Sequence, residues 1–238
     1  MNIIYTQNAN LQFFAKSGIG FHSNDSRVVL AGTEEETLPG AFGVDVGTNW
    51  KPTPKLWVNT ALWYLFLQQE FVYVGDEGIV EPSGRTRRLG IDVSVRGQIS
   101  KVLFYNTDFN YTLARSIDEP QGEDLIPLAP ELTMSGGLSM QFENGFSSGI
   151  NYRFIKDRPA TEDNSIVAEG YFITDLNFNY QFKKIGFGLE IQNLFNQEWN
   201  EAQFATESRL FDELEAVEEL HFTPGAPFFF KGKVTFNF

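Results

Sequence analysis

The sequence predicts an all-β protein, an antiparallel transmembrane β-barrel. Three observations lead there. Apolar and polar residues alternate over segments of strand length, the connections between those segments alternate between short and long, and the chain is rich in aromatics without being oily. Of its 238 residues, 24 are Phe, 8 Tyr and 4 Trp, yet hydrophobic residues reach only 42% and mean hydropathy is -0.23. A spanning helix needs about 18 or more consecutive apolar residues. The best candidate run, residues 56–67, is broken by Asn59 and Thr60.

Taken in chain order, the alternation gives about ten strand candidates, an even number as bacterial barrels require. The first, Leu11/Phe13/Ala15/Ile19, is weak. Phe42/Val44/Val46/Trp50 and Val58/Leu62/Tyr64/Phe66 are clearer, and Ile91/Val93/Val95 follows. Tyr105/Phe109/Tyr111/Leu113 comes next, with Asn106, Asp108 and Asn110 opposite. Leu132/Met134/Leu138/Met140/Phe142 and Ile150/Tyr152/Phe154 continue the series. In residues 176–182, Leu176, Phe178, Tyr180 and Phe182 alternate with Asn177, Asn179 and Gln181. In residues 185–192, Ile185, Phe187, Leu189 and Ile191 face one way and Gly186, Gly188, Glu190 and Gln192 the other. The last strand sets Phe230, Gly232, Val234, Phe236 and Phe238 against Lys231, Lys233, Thr235 and Asn237.

Short connections fall near residues 51–55, 98–101, 143–145 and 183–184, and long ones near 21–38, 75–82, 116–127, 157–169 and 199–224. Outer-membrane barrels pair short periplasmic turns with long extracellular loops, so the long connections are expected outside the cell and the C-terminus on the periplasmic side. A soluble β-sandwich also carries short alternating strands. Here the polar positions are dominated by Asn, Gln, Ser, Thr and Gly, as a lumen requires, which favours the barrel. Lys16, Asp45, Asp92, Arg96, Asp108, Arg153, Asp175, Glu190, Lys231 and Lys233 are in phase with those positions and are expected to point inward, where water or protein can pair them.

The net charge of -13 argues against a nucleic-acid partner, which needs a basic face. The absence of cysteine removes disulfides, thiolate metal sites and cysteine nucleophiles. No catalytic, cofactor or metal constellation emerges. His22 and His221 both fall in expected loops, and the acid pairs Asp118/Glu119, Glu123/Asp124 and Glu162/Asp163 lack the spacing of a calcium loop. Residues 207–220 break the strand pattern: Leu210, Phe211, Leu214, Val217 and Leu220 recur at helical spacing, and a short amphipathic helix is expected in the longest loop. Residues 1–8 lack the basic and apolar regions of a signal peptide.

Several stretches resemble TonB-dependent outer-membrane receptors. Ile191-Gln192-Asn193-Leu194-Phe195-Asn196-Gln197-Glu198-Trp199-Asn200 is similar to the element before the final loop of these receptors. Phe222-Thr223-Pro224-Gly225-Ala226-Pro227, leading into residues 231–238, is similar to their closing strand, and residues 15–27 and 81–90 also resemble stretches of them. The resemblance implies that residues 1–238 are the C-terminal part of a barrel of about 22 strands. It further implies an importer of a scarce nutrient such as a siderophore-type metal chelate, in the outer membrane of a Gram-negative bacterium, and not an enzyme. Its partners would be outer-membrane lipid, the assembly machinery reading Phe236 and Phe238 on the last strand, and the TonB complex and plug through an N-terminal region expected to be missing. Such a fragment is expected to be inactive alone. A self-contained ten-stranded pore or outer-membrane enzyme is the alternative, and a soluble β-sandwich binding module a second one.

Overall fold

In the computed structural model of the chain, residues 1–21, 38–74, 79–82 and 84–238 are described. The strands in chain order are β1 (Asn2–Asn8), β2 (Leu11–Phe21), β3 (Gly40–Thr53), β4 (Leu56–Leu67), β5 (Phe71–Val74), β6 (Ile79–Pro82), β7 (Thr86–Gln98), β8 (Leu103–Ser116) and β9 (Leu132–Gln141). They continue with β10 (Phe146–Ile155), β11 (Arg158–Pro159), β12 (Val167–Ala168), β13 (Tyr171–Phe182), β14 (Ile185–Gln192), β15 (Asn200–Ser208), β16 (Val217–Pro224) and β17 (Phe229–Phe236). Eleven of them form one sheet in the order β1-β2-β3-β4-β7-β8-β9-β10-β13-β14-β17, antiparallel throughout, with β1 and β17 as its edges. The remaining six make three small hairpins, β5-β6, β11-β12 and β15-β16, each inserted in a long connection.

All ten expected strands lie in this sheet, and β1 makes an eleventh. It escaped the reading because Ile3 and Ile4 are adjacent apolar residues followed by Thr6, Gln7 and Asn8, so the two-residue period is broken. Register rather than amphipathicity places it: Tyr5 pairs with Phe13 and Ile4 with Phe14.

The expected helix over residues 207–220 is replaced by the β15-β16 hairpin, in which Thr206 opposes Glu219 and Ser208 opposes Val217. A fourteen-residue helix must first be nucleated, and it is marginal unless its apolar stripe is buried. No such surface is offered here: Phe211 and Leu214, at the hairpin tip, are 102% and 94% exposed. The hairpin instead pairs its backbone and docks through Gln203, so the helical spacing of the apolar residues is coincidental.

One-residue alternation divides the sheet into an apolar and a polar face. Along the apolar face, Phe182, Phe187, Phe230, Val234 and Phe236 are all more than half exposed. A contiguous band of that kind is not stable in water but is what a lipid-facing wall presents. Hydroxyls on this face pair with each other: the Tyr152 hydroxyl crosses Gly136 to lie 2.7 Å from Thr107 Oγ1. A Cβ at Gly136 would sit 2.9 Å from the Tyr152 oxygen and 2.8 Å from Thr107 Oγ1, so glycine is required for that crossing. The buried residues gather at the long-loop end instead, where Leu67, Thr86, Ala114, Ile173 and Gln203 are covered by the connections.

Candidate functional site

The polar face is the first part of the site. Cross-strand register puts all ten expected inward charges on it: Lys16 opposes Asp45, Arg153 and Asp175 lie on neighbouring β10 and β13, and Glu190 opposes Lys231. Several pair directly. Arg96 Nη2 lies 2.7 Å from Asp108, which also accepts a hydrogen bond from Ser94 at 2.6 Å; Arg153 and Asp175 are 3.7 Å apart, as are Lys231 and Glu190. Asp92 accepts from the Asn110 amide. A row of amides continues the face, with Asn59 donating to Asn49 at 2.8 Å and Asn49 to Gln12 at 3.2 Å. These ion pairs are about half exposed, a setting in which such pairs are worth only ~0–1 kcal/mol. They do not hold the sheet together, and their members remain free to exchange partners. A cavity of about 360 Å³ opens here among Lys16, Asp45, Asn49, Trp63 and Asp92, and the Trp63 indole N–H on its wall has no hydrogen-bond acceptor among the described residues.

A collar of long connections at one end of the sheet is the second part. Its anchor is the Asn193 turn. Asn193 and Asn196 adopt φ of 49°, the left-handed region that asparagine tolerates. The Asn193 amide N–H donates to Asp175 (2.9 Å), its side chain donates to the Gln197 and Ala226 carbonyls (2.8 and 3.1 Å), and its Oδ1 accepts from Gln197 N–H (2.8 Å). Trp199 donates to Ala226 at 3.0 Å, stacks edge-on against Tyr171 at 4.8 Å and receives the Arg153 guanidinium over its ring at 5.7 Å. The Asn-Leu-Phe element thus ties β14 to the start of β17 and reaches the polar face through Asp175 and Arg153. Beside it Gln203, 1% exposed, accepts from Glu169 N–H at 2.9 Å and donates to the Glu169 carbonyl at 2.8 Å, fastening the β15-β16 hairpin to the connection before β13. No periodic signal marked Gln203 or Trp199, because their partners are 34 and 27 residues away.

One acid of each loop pair, Asp118, Asp124 and Asp163, is held by protein groups. Asp118 receives Arg85 through its backbone N–H (2.7 Å) and guanidinium (2.5 Å), which lowers its pKa. Arg115 Nε lies 3.5 Å from Asp124. Asp163 accepts from Ser165 N–H, Ser165 Oγ and Thr161 Oγ1, which bring its pKa down to about 2. Among the described residues no three His, Cys, Asp or Glu side chains form a metal-holding group. His221 Nε2 lies 3.0 Å from Ser208 Oγ, but Glu219 is 3.9 Å from that same nitrogen. A catalytic relay needs the acid on the other ring nitrogen, so this is not one. His22 lies outside the described residues, as do residues 22–27 and Ser83 of the stretches that resemble the receptors. At the other end, Phe236 pairs with Ile185 in the sheet and Phe238 is fully exposed beyond it.

Comparison with known proteins identifies the architecture. A family model described as TonB dependent receptor-like, beta-barrel, matches residues 41–194. The catecholate siderophore receptor Fiu of Escherichia coli K12 is 26% identical over 197 residues, which cover 78% of this chain and 24% of Fiu. This chain therefore spans about a quarter of the length of the curated relatives it matches. Among solved structures, the ferric-catecholate import receptor Fiu of E. coli K12 in its closed form superposes with a TM-score of 0.72 at 18% identity, covering 100% of this chain and 34% of the other. The ferric yersiniabactin uptake receptor FyuA of Yersinia pestis gives 0.73 at 10% identity (100% and 37%), and the copper transporter OprC 0.76 at 16% (99% and 39%).

Proposed function

This chain belongs to the TonB-dependent receptor-like β-barrel family, and from that premise we propose that residues 1–238 are the C-terminal half of the barrel of an importer. The receptor would take a scarce nutrient, such as a siderophore-type metal chelate, across the Gram-negative outer membrane in which the family resides. The observation that carries the reading is the open sheet. Its outward face is apolar, yet β1 and β17 present unpaired edges among the described residues, and an unpaired edge is prohibitive in lipid. A barrel of about 22 strands supplies the missing partners with about eleven further strands. The exchangeable charges of the polar face then meet a plug or line the substrate path, and the collar receives the substrate from outside.

Fiu is a catecholate siderophore receptor and FyuA a ferric yersiniabactin uptake receptor, and the likeness to both favours a metal chelate. Contact with TonB and with the plug would come from residues outside this chain, and Phe236 and Phe238 would serve the assembly machinery. No catalytic role is assigned.

The test is uptake of a radio-iron catecholate by E. coli lacking its own catecholate receptors. The uninterrupted reading frame that contains the chain should restore TonB-dependent uptake, and the chain alone should restore none. Uptake by the chain alone would show that eleven strands suffice. A frame that imports no iron or copper chelate would remove the importer reading.

A further inference from the structure

The apolar wall carries an exception. Arg87 at the start of β7 and Arg115 at the end of β8 are directly opposed in the antiparallel register. Their parity is that of Leu89 and Leu113, so both guanidinium groups leave the sheet on its lipid-facing side at the extracellular end. The neighbours at the same level confirm the orientation: Thr86, Ala114 and Ser116, one residue away on either strand, point to the other face and are buried, whereas Arg87 is exposed. Directly opposed residues in an antiparallel pair have Cα atoms about 4.5–5.5 Å apart, and like charges there repel.

Protein groups do not relieve that repulsion fully. Arg115 is shared between Asp124 at 3.5 Å and the Ala114 carbonyl at 2.9 Å. Arg85, which follows the same parity outward, is taken by Asp118. Arg87 has no hydrogen-bond or ion-pair partner among the described residues. A surplus cation thus stands on the membrane side of a chain of net charge -13, beside Phe66 and immediately above a band of Tyr64, Leu89 and Leu113.

We infer that Arg87 and Arg115 form a docking site for the phosphate group of an outer-leaflet lipid, whose acyl chains lie along that band. Three features select this occupant. The guanidinium fork matches phosphate oxygens in a bidentate geometry. An anion between the two arginines relieves their mutual repulsion. The apolar residues below them continue the lipid-facing wall, so a ligand with both acyl chains and a phosphate whose negative charge no headgroup cation balances satisfies the whole surface, whereas free phosphate satisfies only its top.

The inference rests on the barrel reading, and the test separates the two. The intact receptor containing this chain is purified in detergent, and native mass spectrometry measures its retention of lipid A, of zwitterionic phosphatidylcholine, and of lipid A in the presence of excess inorganic phosphate. Lipid A should be retained roughly tenfold more tightly than phosphatidylcholine, as one or two charge-assisted hydrogen bonds provide, and inorganic phosphate should not displace it. R87Q/R115Q should abolish the preference, Arg87→Lys should weaken it, and Arg209→Gln, at the hairpin tip, should leave it intact. Equal retention by wild type and the double variant, or displacement by inorganic phosphate, would overturn the assignment. Chelate uptake by the double variant should match wild type. Absence of uptake in both would count against the importer reading and leave the lipid result standing.

Discussion

Single residues in the collar act through the backbone groups they satisfy. Asp163 is held in its ionised form mainly by the N–H and hydroxyl of Ser165, with Thr161 adding to them, and its pKa falls to about 2. A carboxyl with a folded pKa below its unfolded value of roughly 3.9 stabilises the fold fully above that value, and loses the contribution as pH falls through the folded one. The loop closed by Asp163 should therefore hold at neutral pH, begin to loosen below roughly pH 3.9 and have lost this contribution once the pH falls through about 2. The carboxyl-carbon chemical shift of Asp163 should titrate near 2; a midpoint near 4 would show that the three hydrogen bonds are not formed. Gln203 works differently, since it is buried and answers both a donor and an acceptor of Glu169. Gln203→Ala leaves both unsatisfied, which should destabilise the hairpin's docking by about 1–3 kcal/mol, roughly 5- to 150-fold in its open population. Limited proteolysis within residues 200–224 would read this as faster cleavage, and an unchanged rate would mean that the hairpin is held by other contacts.

At the scale of elements, alternation was legible wherever a strand separates lipid from a polar interior. Leu176–Asn177–Phe178–Asn179 in β13 and Phe187–Gly188–Leu189–Glu190 in β14 are examples, and the same parity put the ten charges on one face of the sheet. It failed in β1, whose adjacent Ile3 and Ile4 face opposite sides of an edge. It failed again in β15-β16, which lies in the collar, so neither of its faces meets lipid and no alternating demand acts on its sequence. The collar contacts themselves, such as Arg153 over Trp199, join residues brought together only by the sheet, and no local pattern encodes them. The hairpin assignment has a direct check. Thr206 and Glu219 are directly opposed, within reach of a disulfide, whereas a helix would place them thirteen residues apart, about 20 Å. The pair Thr206→Cys and Glu219→Cys should cross-link under mild oxidation; failure with both thiols accessible would favour the helix.

For the molecule as a whole, the direction of the two edges matters as much as their exposure. Eleven antiparallel strands make β1 and β17 run the same way, from the long-loop end to the short-turn end. Closing the sheet on itself, or pairing two copies edge to edge, would bring two parallel strands together, against the even-numbered antiparallel closure of bacterial barrels. The complement must contribute an odd number of strands with both edges running outward. This argues against a self-contained small pore and for the half-barrel. It also predicts that the chain produced alone will not yield a compact, heat-modifiable barrel in detergent, and such a species would require a parallel seam. The central claim, that the sheet crosses the outer membrane with its long connections outside, is tested most directly by labelling. Single cysteines placed at Asn164, in the connection between β10 and β13, and at Lys184, in the turn between β13 and β14, are introduced into the receptor that contains the chain. A membrane-impermeant thiol reagent applied to whole cells should label the cysteine at 164 and spare the one at 184 until the outer membrane is opened; equal labelling of both in intact cells would contradict the account.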